Sequence, residues 1–243
     1  MIALLADIHA NLEALEACLA HARAAGARRF VLLGDLVGYG ADPAAVVDAA
    51  AALAADGAVV VKGNHDEAVE RTSAYLNDMA QAAIDWTRGA LSDAQKAFLA
   101  QLPFCIREEA SCFVHASADR PERWSYVDGP SAAARSMNGA ARPYTFCGHV
   151  HDQRLYFESA GGQLRAFRPH AGTAIPVPRH RRWLAIAGSV GQPRDGNAAA
   201  AYVLLDEARM TFHRVPYDHR AAAQKVRAAG LPAILAYRIE HGI

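Results

Sequence analysis

The stretch Ile2-Ala3-Leu4-Leu5-Ala6-Asp7-Ile8-His9-Ala10-Asn11 decides the reading of the fold. Its apolar start, Ile2–Leu5, predicts a buried strand. Asn11 predicts the cap of a helix that runs through Ala25. Between them stand Asp7 and His9, where an open α/β sheet presents its ligand-binding loops. The arrangement recurs downstream. Phe30–Leu33 predicts a second strand, directly ahead of Gly34-Asp35. Pro43 starts a second helix running to about Asp56. Val59–Val61 predicts a third strand, ahead of Gly63-Asn64-His65-Asp66. A β-α-β-α-β order, at roughly 30 residues per unit, predicts parallel strands with right-handed crossovers.

From Glu67 to Leu102 the pattern is helical, with Ser92-Asp93 as an N-cap before Ala94–Leu102 and Pro103 as the stop. Short strands are then predicted at Phe104–Arg107, Cys112–His115, Tyr144–Cys147, Arg154–Phe157, Leu164–Phe167, Trp183–Ala187, Tyr202–Leu205 and Thr211–Arg214. Gly161-Gly162 reads as a hairpin turn. Ala116–Gly139 shows no clear period and is expected to be a loop with some helix, lying over the site. The tail predicts two amphipathic helices, Asp218–Gly230 and Pro232–His241. No repeat or low-complexity linker divides the chain, so residues 1–243 are expected to form one domain.

Lys+Arg and Asp+Glu are both 25. Net charge therefore indicates neither nucleic acid nor a membrane as partner. The segment Arg142–Arg194 carries eight arginines against Asp152 and Glu158 and reads as a solvated rim, with a polyanion-facing surface, and so nucleic acid as a partner, as the alternative. Cys18, Cys105, Cys112 and Cys147 form no C-x-x-C pair and each lies in an apolar run, so buried, reduced thiols are expected. The apolar run before Asp7 is too short for a signal-peptide core, and no run approaches the ~20 residues of a membrane span. A cytoplasmic protein is expected. Nothing in the sequence sets the oligomeric state.

Five motifs carry chemistry: Asp7-Ile8-His9, Gly34-Asp35, Gly63-Asn64-His65-Asp66, Val114-His115 and Gly148-His149-Val150-His151. Each supplies oxygen or imidazole donors suited to divalent metals, and none supplies sulfur. Asp7 and His9 alternate on extended backbone, so both face one metal only if the chain turns just after the strand. A carboxylate such as that of Asp35 can bridge two ions. Two metals held about 3.5–4 Å apart clamp the attacking and leaving oxygens of a phosphoryl transfer. With Asp7 and Asp35 as the anionic ligands, two divalent ions leave the site positive. It would then lower the pKa of a bound water and hold a phosphate ester. A metal-bridged hydroxide is the expected nucleophile. His65, next to Asn64, is the expected proton donor to the leaving group. Each motif alone is weak; five in order at strand ends are hard to obtain by accident.

On these residues the chain resembles the calcineurin-like binuclear metallophosphoesterase superfamily over its whole length. Within it, Ala6–Leu15, Gly34-Asp35-Leu36-Val37-Gly38-Tyr39-Gly40 and Gly188–Gly196 are similar to the small bacterial and archaeal phosphodiesterase branch. The resemblance implies an α/β fold, a four-layer α-β-β-α sandwich of two mixed sheets flanked by helices. It implies Asp7, His9, Asp35 and His151 at one metal, Asp35, Asn64, His115 and His149 at the other, and His65 as catalytic histidine. Mn, Fe, Co, Ni and Zn all suit such donors, with Mn favoured.

Protein phosphatases and symmetrical diadenosine tetraphosphate hydrolases of that family carry Asp-Arg where this chain has Gly38-Tyr39. They usually have Glu where it has Asp66. The departures favour diester substrates: nucleotides, cyclic nucleotides or nucleic-acid ends. The alternatives are a phosphomonoesterase, a dinucleoside polyphosphate hydrolase, or a non-catalytic scaffold, which would be expected to lose His65. Arg194, in a Gly-rich loop after an apolar strand, is a candidate phosphate contact as well as a candidate loop-stabilising guanidinium. Arg120, Arg123, Trp124 and Tyr126 are candidates for a lip facing the substrate.

Overall fold

The computed structural model describes residues 1–71, 76–159 and 161–243. Two six-stranded mixed sheets lie face to face, with α-helices outside them. The first sheet has the order β3-β2-β1-β11-β12-β9. It is built from β1 (Ile2–Leu5), β2 (Arg29–Leu32), β3 (Val59–Val60), β9 (Ala174–Pro176), β11 (Ala200–Asp206) and β12 (Arg209–Val215). The second has the order β4-β5-β6-β10-β7-β8. It is built from β4 (Cys105–Arg107), β5 (Ser111–Val114), β6 (Tyr144–Cys147), β7 (Arg154–Glu158), β8 (Leu164–Phe167) and β10 (Trp183–Ile186).

The strand sequences are apolar on both faces because both faces are covered. In β1, Ala3 and Leu5 enter the core under the outer helices, while Leu4 and the following Ala6 enter the core between the sheets. Phe30 and Leu32 of β2 alternate with Val31 and Leu33 in the same way. In the second sheet, Phe113, Tyr144, Phe146, Trp183 and Ala185 point to the shared core. Cys112, Val114, Cys147, Leu184 and Ile186 point to the opposite face. Period-two alternation thus supplies three stacked cores from continuous apolar runs.

β1, β2 and β3 run parallel, and so do β5, β6 and β10. Their crossovers are α1 (Leu12–Ala24), α2 (Pro43–Ala55) and, in the second sheet, α6 (Pro130–Ala140). Asn11 caps α1 by accepting the Ala14 N–H at 3.1 Å. The segment expected to be helical over Glu67–Leu102 holds α3 (Asn64–Glu70), α4 (Asp78–Ala90) and α5 (Asp93–Gln101). The part of that expectation at 72–75 lies outside the described residues. Helix α3 begins three residues earlier than expected, because Gly63 serves as its N-cap and Asp66 reaches back to the Gly63 N–H.

Ala116–Gly139 does not lie over the site as a whole. Its second half is mostly α6, whose Ala132, Ala133, Ser136, Met137 and Ala140 are buried, several of them against the outer face of the second sheet. Strand β9 escaped the reading because it is a three-residue edge ending in Pro176, with two of its residues exposed. Cys105 is half-buried rather than buried; its sulfur lies 3.4 Å from that of Cys112, and all four cysteines are free.

The C-terminal helices α7 (His219–Ala228) and α8 (Ala233–His241) form a hairpin that shares a small core with Tyr39 and α4. No helix of the described residues is long and apolar enough to cross a membrane.

Candidate active site

The chain leaves β1, β2 and β6 in sharp left-handed turns. Asp7 (φ 54°), His9 (φ 49°), Asp35 (φ 52°), His149 (φ 67°) and His151 (φ 65°) all have positive φ. Such backbone costs an L-residue about 1–2 kcal/mol, and Asn, Asp and His tolerate it best. The turn expected after β1 is therefore present, and it brings Asp7 and His9 to one side. Backbone hydrogen bonds across the loops hold it: Asp7 N–H to Gly34 O at 3.1 Å, His9 N–H to Asp35 O at 2.9 Å, and Gly191 N–H to Asp7 O at 2.9 Å. Gly63 passes so close that a β-carbon there would collide with the Asp35 carboxylate.

Three overlapping groups of donors result, all buried, one of them His9, Asp35 and His65. Asp7, His9 and His151 place one ligand atom each within 4.8 Å of one another, and so do Asp35, His115 and His149. His9 Nε2 and His151 Nε2 are 3.1 Å apart. His115 Nε2 lies 3.1 Å from His149 Nδ1, 3.1 Å from Asn64 Oδ1 and 3.3 Å from Asp35 Oδ2. Asp35 joins the groups, since its Oδ2 is also 3.7 Å from His9 Nε2. All seven expected donors thus converge, with His65 beside His9 and Asp35.

The outer hydrogen bonds fix which nitrogens point inward. Nδ1 of His9, His115 and His151 each meets a backbone carbonyl, of Val37 (3.2 Å), Leu33 (2.8 Å) and Gln192 (2.6 Å). A carbonyl only accepts, so each Nδ1 carries the proton and each neutral Nε2 presents a lone pair inward. Lone pairs facing one another at about 3.1 Å repel unless a cation or proton lies between them. The donor set therefore fits divalent metals of the nitrogen- and oxygen-binding kind. Without metal, His115 takes the proton. Burial opposes its charge, but Asp35 and Asp7 together hold its pKa up at about 9. His149 goes the other way, pushed down to about 3 by burial and by His115.

His65 is set differently. Its backbone N–H donates to Asp35 Oδ1 at 2.8 Å, yet its Nδ1 is buried with no hydrogen-bond partner among the described residues. Burial lowers its pKa to about 4, with Asp35 working in the opposite sense. Gly38 (φ +86°) lies against the imidazole so closely that a β-carbon would strike Nδ1. The Tyr39 ring also packs against the imidazole, 4.5 Å from centroid to centroid. Asp66 makes no hydrogen bond to His65 Nδ1 among the described residues. Its carboxylate accepts the N–H groups of Leu36 (2.9 Å), Val37 (3.3 Å) and Gly63 (2.8 Å), and so ties the second and third motif loops together. Burial, reinforced by the Asp35 charge, raises its pKa to about 7.

A cavity of about 150 Å³ opens onto the donors and is lined by Asp35, Asn64, His65, His149, His151, Tyr39, Tyr126 and Arg194, among others. Arg194 donates to Gln192 Oε1 at 2.9 Å and lies over the Tyr39 ring. Of the candidate lip, Tyr126 is 54% exposed and stacks on His149 at 4.1 Å, whereas Trp124 is buried and donates to Glu67. Arg120 and Arg123 do not line the cavity. Tyr39 and Asp66 were missed as organisers of His65 and its loop. Their departure from the family pattern marks both positions in the sequence, but not these contacts.

A calcineurin-like phosphoesterase superfamily domain matches residues 1–210. The chain belongs to that family and is a metal-dependent phosphoric ester hydrolase. It is 35% identical to the uncharacterized protein MJ0912 of Methanocaldococcus jannaschii, over 98% of this chain and 97% of that one. It superposes on the crystal structure of a metallophosphoesterase from Sphaerobacter thermophilus with a TM-score of 0.88 and 33% identity, covering 100% of this chain and 99% of that one. The fold also matches hypothetical protein PH1004 from Pyrococcus horikoshii OT3, with a TM-score of 0.77, 19% identity and the same coverage.

Proposed function

We propose that the protein hydrolyses phosphate diesters, with small nucleotides, cyclic nucleotides or nucleic-acid ends as the substrate class. One divalent metal would be held by Asp7, His9, Asp35 and His151, and a second by Asp35, Asn64, His115 and His149, with Mn favoured. Bound there, the metals supply Lewis-acid polarisation of the ester phosphate and a water of lowered pKa. The chain's own residues do the rest. His65 faces the cavity beside Asp35 and is the proton donor to the leaving-group oxygen. An anionic ester entering beside it would raise its depressed pKa. Tyr39 and Gly38 fix the ring by packing, in place of a carboxylate. Arg194 lines the cavity as a substrate contact.

The observation that carries the reading is Tyr39. Its ring packs against both His9 and His65, it is 7% exposed, and it stands at the sequence position where phosphatase members of the family resemblance carry an arginine. A monoester dianion gains most from a guanidinium at that place; a diester monoanion needs it less. The exposed Tyr126 at the cavity supports a substrate with a stackable base. The packing of α7 and α8 on Tyr39 supports one catalytic unit over residues 1–243. The free thiols fit a reducing compartment such as the cytoplasm.

Mn²⁺-loaded protein should give a higher kcat/KM with bis-p-nitrophenyl phosphate than with p-nitrophenyl phosphate. A preference of about tenfold or more for the monoester would replace this reading with the phosphomonoesterase one.

A further inference from the structure

The cavity runs past the strand-end donors to a wall supplied by other elements. Leu76, Asn77 and Ala80 come from the start of α4, and Arg238 from α8. Helix α8 is anchored there. Gly242, its C-cap, accepts the Gly196 N–H at 2.8 Å and fits tightly on the backbone of Asn197. That docking joins α8 to the loop carrying Arg194.

Three cations of β12 and α7 are neutralised. Arg214 pairs with Asp195 at 2.7 Å, Arg227 with Glu240 at 2.6 Å, and Lys225 with Glu13 and Asp42. Arg194 and Arg238 differ. Neither has a carboxylate partner among the described residues, and both line the cavity. Arg194 rests on the Tyr39 ring and a neutral amide, and its Nε is buried with no hydrogen-bond partner among the described residues. A buried guanidinium N–H without an acceptor is costly, and two like charges sharing a cavity repel until an anion joins them. Guanidinium groups match the oxygen geometry of phosphate, and a monoester phosphate carries nearly two negative charges at neutral pH.

We propose that Arg194 and Arg238 form an anion subsite that holds a second, monoester phosphate carried by the diester substrate beyond its scissile phosphate. The inference rests on the phosphodiesterase reading and narrows its substrate class to phosphorylated diesters, such as a nucleotide ester with an additional terminal phosphate.

The test compares two diesters that differ by one phosphate: the p-nitrophenyl ester of thymidine 5′-phosphate, and the same ester with a 3′-phosphate. The full-length, Mn²⁺-loaded protein should favour the 3′-phosphorylated ester by about tenfold in kcat/KM, mainly through KM. Arg238→Gln should bring the ratio to within about twofold, and Arg238→Lys should retain part of it. The ratio cancels any general loss in a variant. Calorimetry on the metal-free protein adds a readout independent of turnover: thymidine 3′,5′-bisphosphate should bind more tightly than thymidine 5′-phosphate, and Arg238→Gln should remove the difference. Equal kcat/KM for the two esters would overturn the subsite and leave the diesterase reading intact. So would an Arg238→Gln variant that loses the same factor on both, since Arg238 would then grip the scissile phosphate. If neither ester is cleaved, the diesterase reading fails, and the inference, which rests on it, falls too.

Discussion

The ring of Tyr39 packs against the imidazole of His65, with centroids 4.5 Å apart and planes inclined at 59°. The same ring lies 4.6 Å from His9. The tyrosine therefore packs at once against a metal-ligand candidate and a proton-donor candidate. Tyr39→Arg should shift the kcat/KM ratio toward p-nitrophenyl phosphate, because a guanidinium would then face the ester. An unchanged ratio in a folded, metal-loaded variant would show that position 39 does not contact substrate.

His65 should matter to turnover more than to metal content. His65→Ala should keep its metals and lose about 10²–10⁴-fold in kcat on a diester with a poor leaving group. The loss should shrink for a p-nitrophenolate leaving group, which needs little protonation. Near-normal rates on the poor leaving group would remove His65 from the mechanism. Gly38→Ala should mimic the loss, since its β-carbon would strike the ring and its φ of +86° disfavours a side chain.

Much of this site was legible in the sequence, for a physical reason. Oxygen and nitrogen donors such as Asp, Asn and His suit such metals, and an α/β sheet puts them just beyond apolar strands, so type and place together mark Asp7, Asp35, Asn64, His115 and His149. The alternation of Ala3 and Leu5 against Leu4 and Ala6 also follows from the run itself once both faces are covered. What was not legible depends on long-range docking. Arg238 reaches the cavity only because Gly242 seats α8 on the loop at Gly196, and no spacing announces that contact. Asp66 looked like a near-match to a family glutamate. Its three backbone N–H partners come from two loops that meet only in the fold.

Asp66 should accordingly be structural. Asp66→Ala would leave the buried N–H groups of Leu36, Val37 and Gly63 without their acceptor. Each such loss costs about 1–3 kcal/mol, so denaturant unfolding of the metal-free protein should show a loss of about 3 kcal/mol or more. A loss below about 1 kcal/mol would mean that the loops hold without it.

Part of the pH effect on stability, alongside that of His65, should come from His213. His213 stacks on Tyr202, and His21 lies 5.1 Å away and hydrogen-bonds to the Tyr202 hydroxyl. Burial lowers the His213 pKa, and the neighbouring His21 lowers it further. The unfolded chain therefore binds this proton more readily than the folded one. Stability is retained above the unfolded value of about 6.5 and falls as pH drops below it. In metal-loaded protein, His213→Phe should preserve the stack and flatten the decline in Tm between about pH 6.5 and 5. A variant whose profile parallels that of the unmodified protein would exclude His213 as a contributor.

Metal stoichiometry tests the central claim most directly. Asp35 Oδ2 stands 3.3 Å from His115 Nε2 and 3.7 Å from His9 Nε2, between the two donor groups. Elemental analysis of protein saturated with Mn²⁺ and desalted should give two ions per chain, His9→Ala should mainly weaken one, and Asp35→Ala should lose both. One ion per chain in the unmodified protein, or two retained in Asp35→Ala, would contradict a binuclear centre bridged by Asp35.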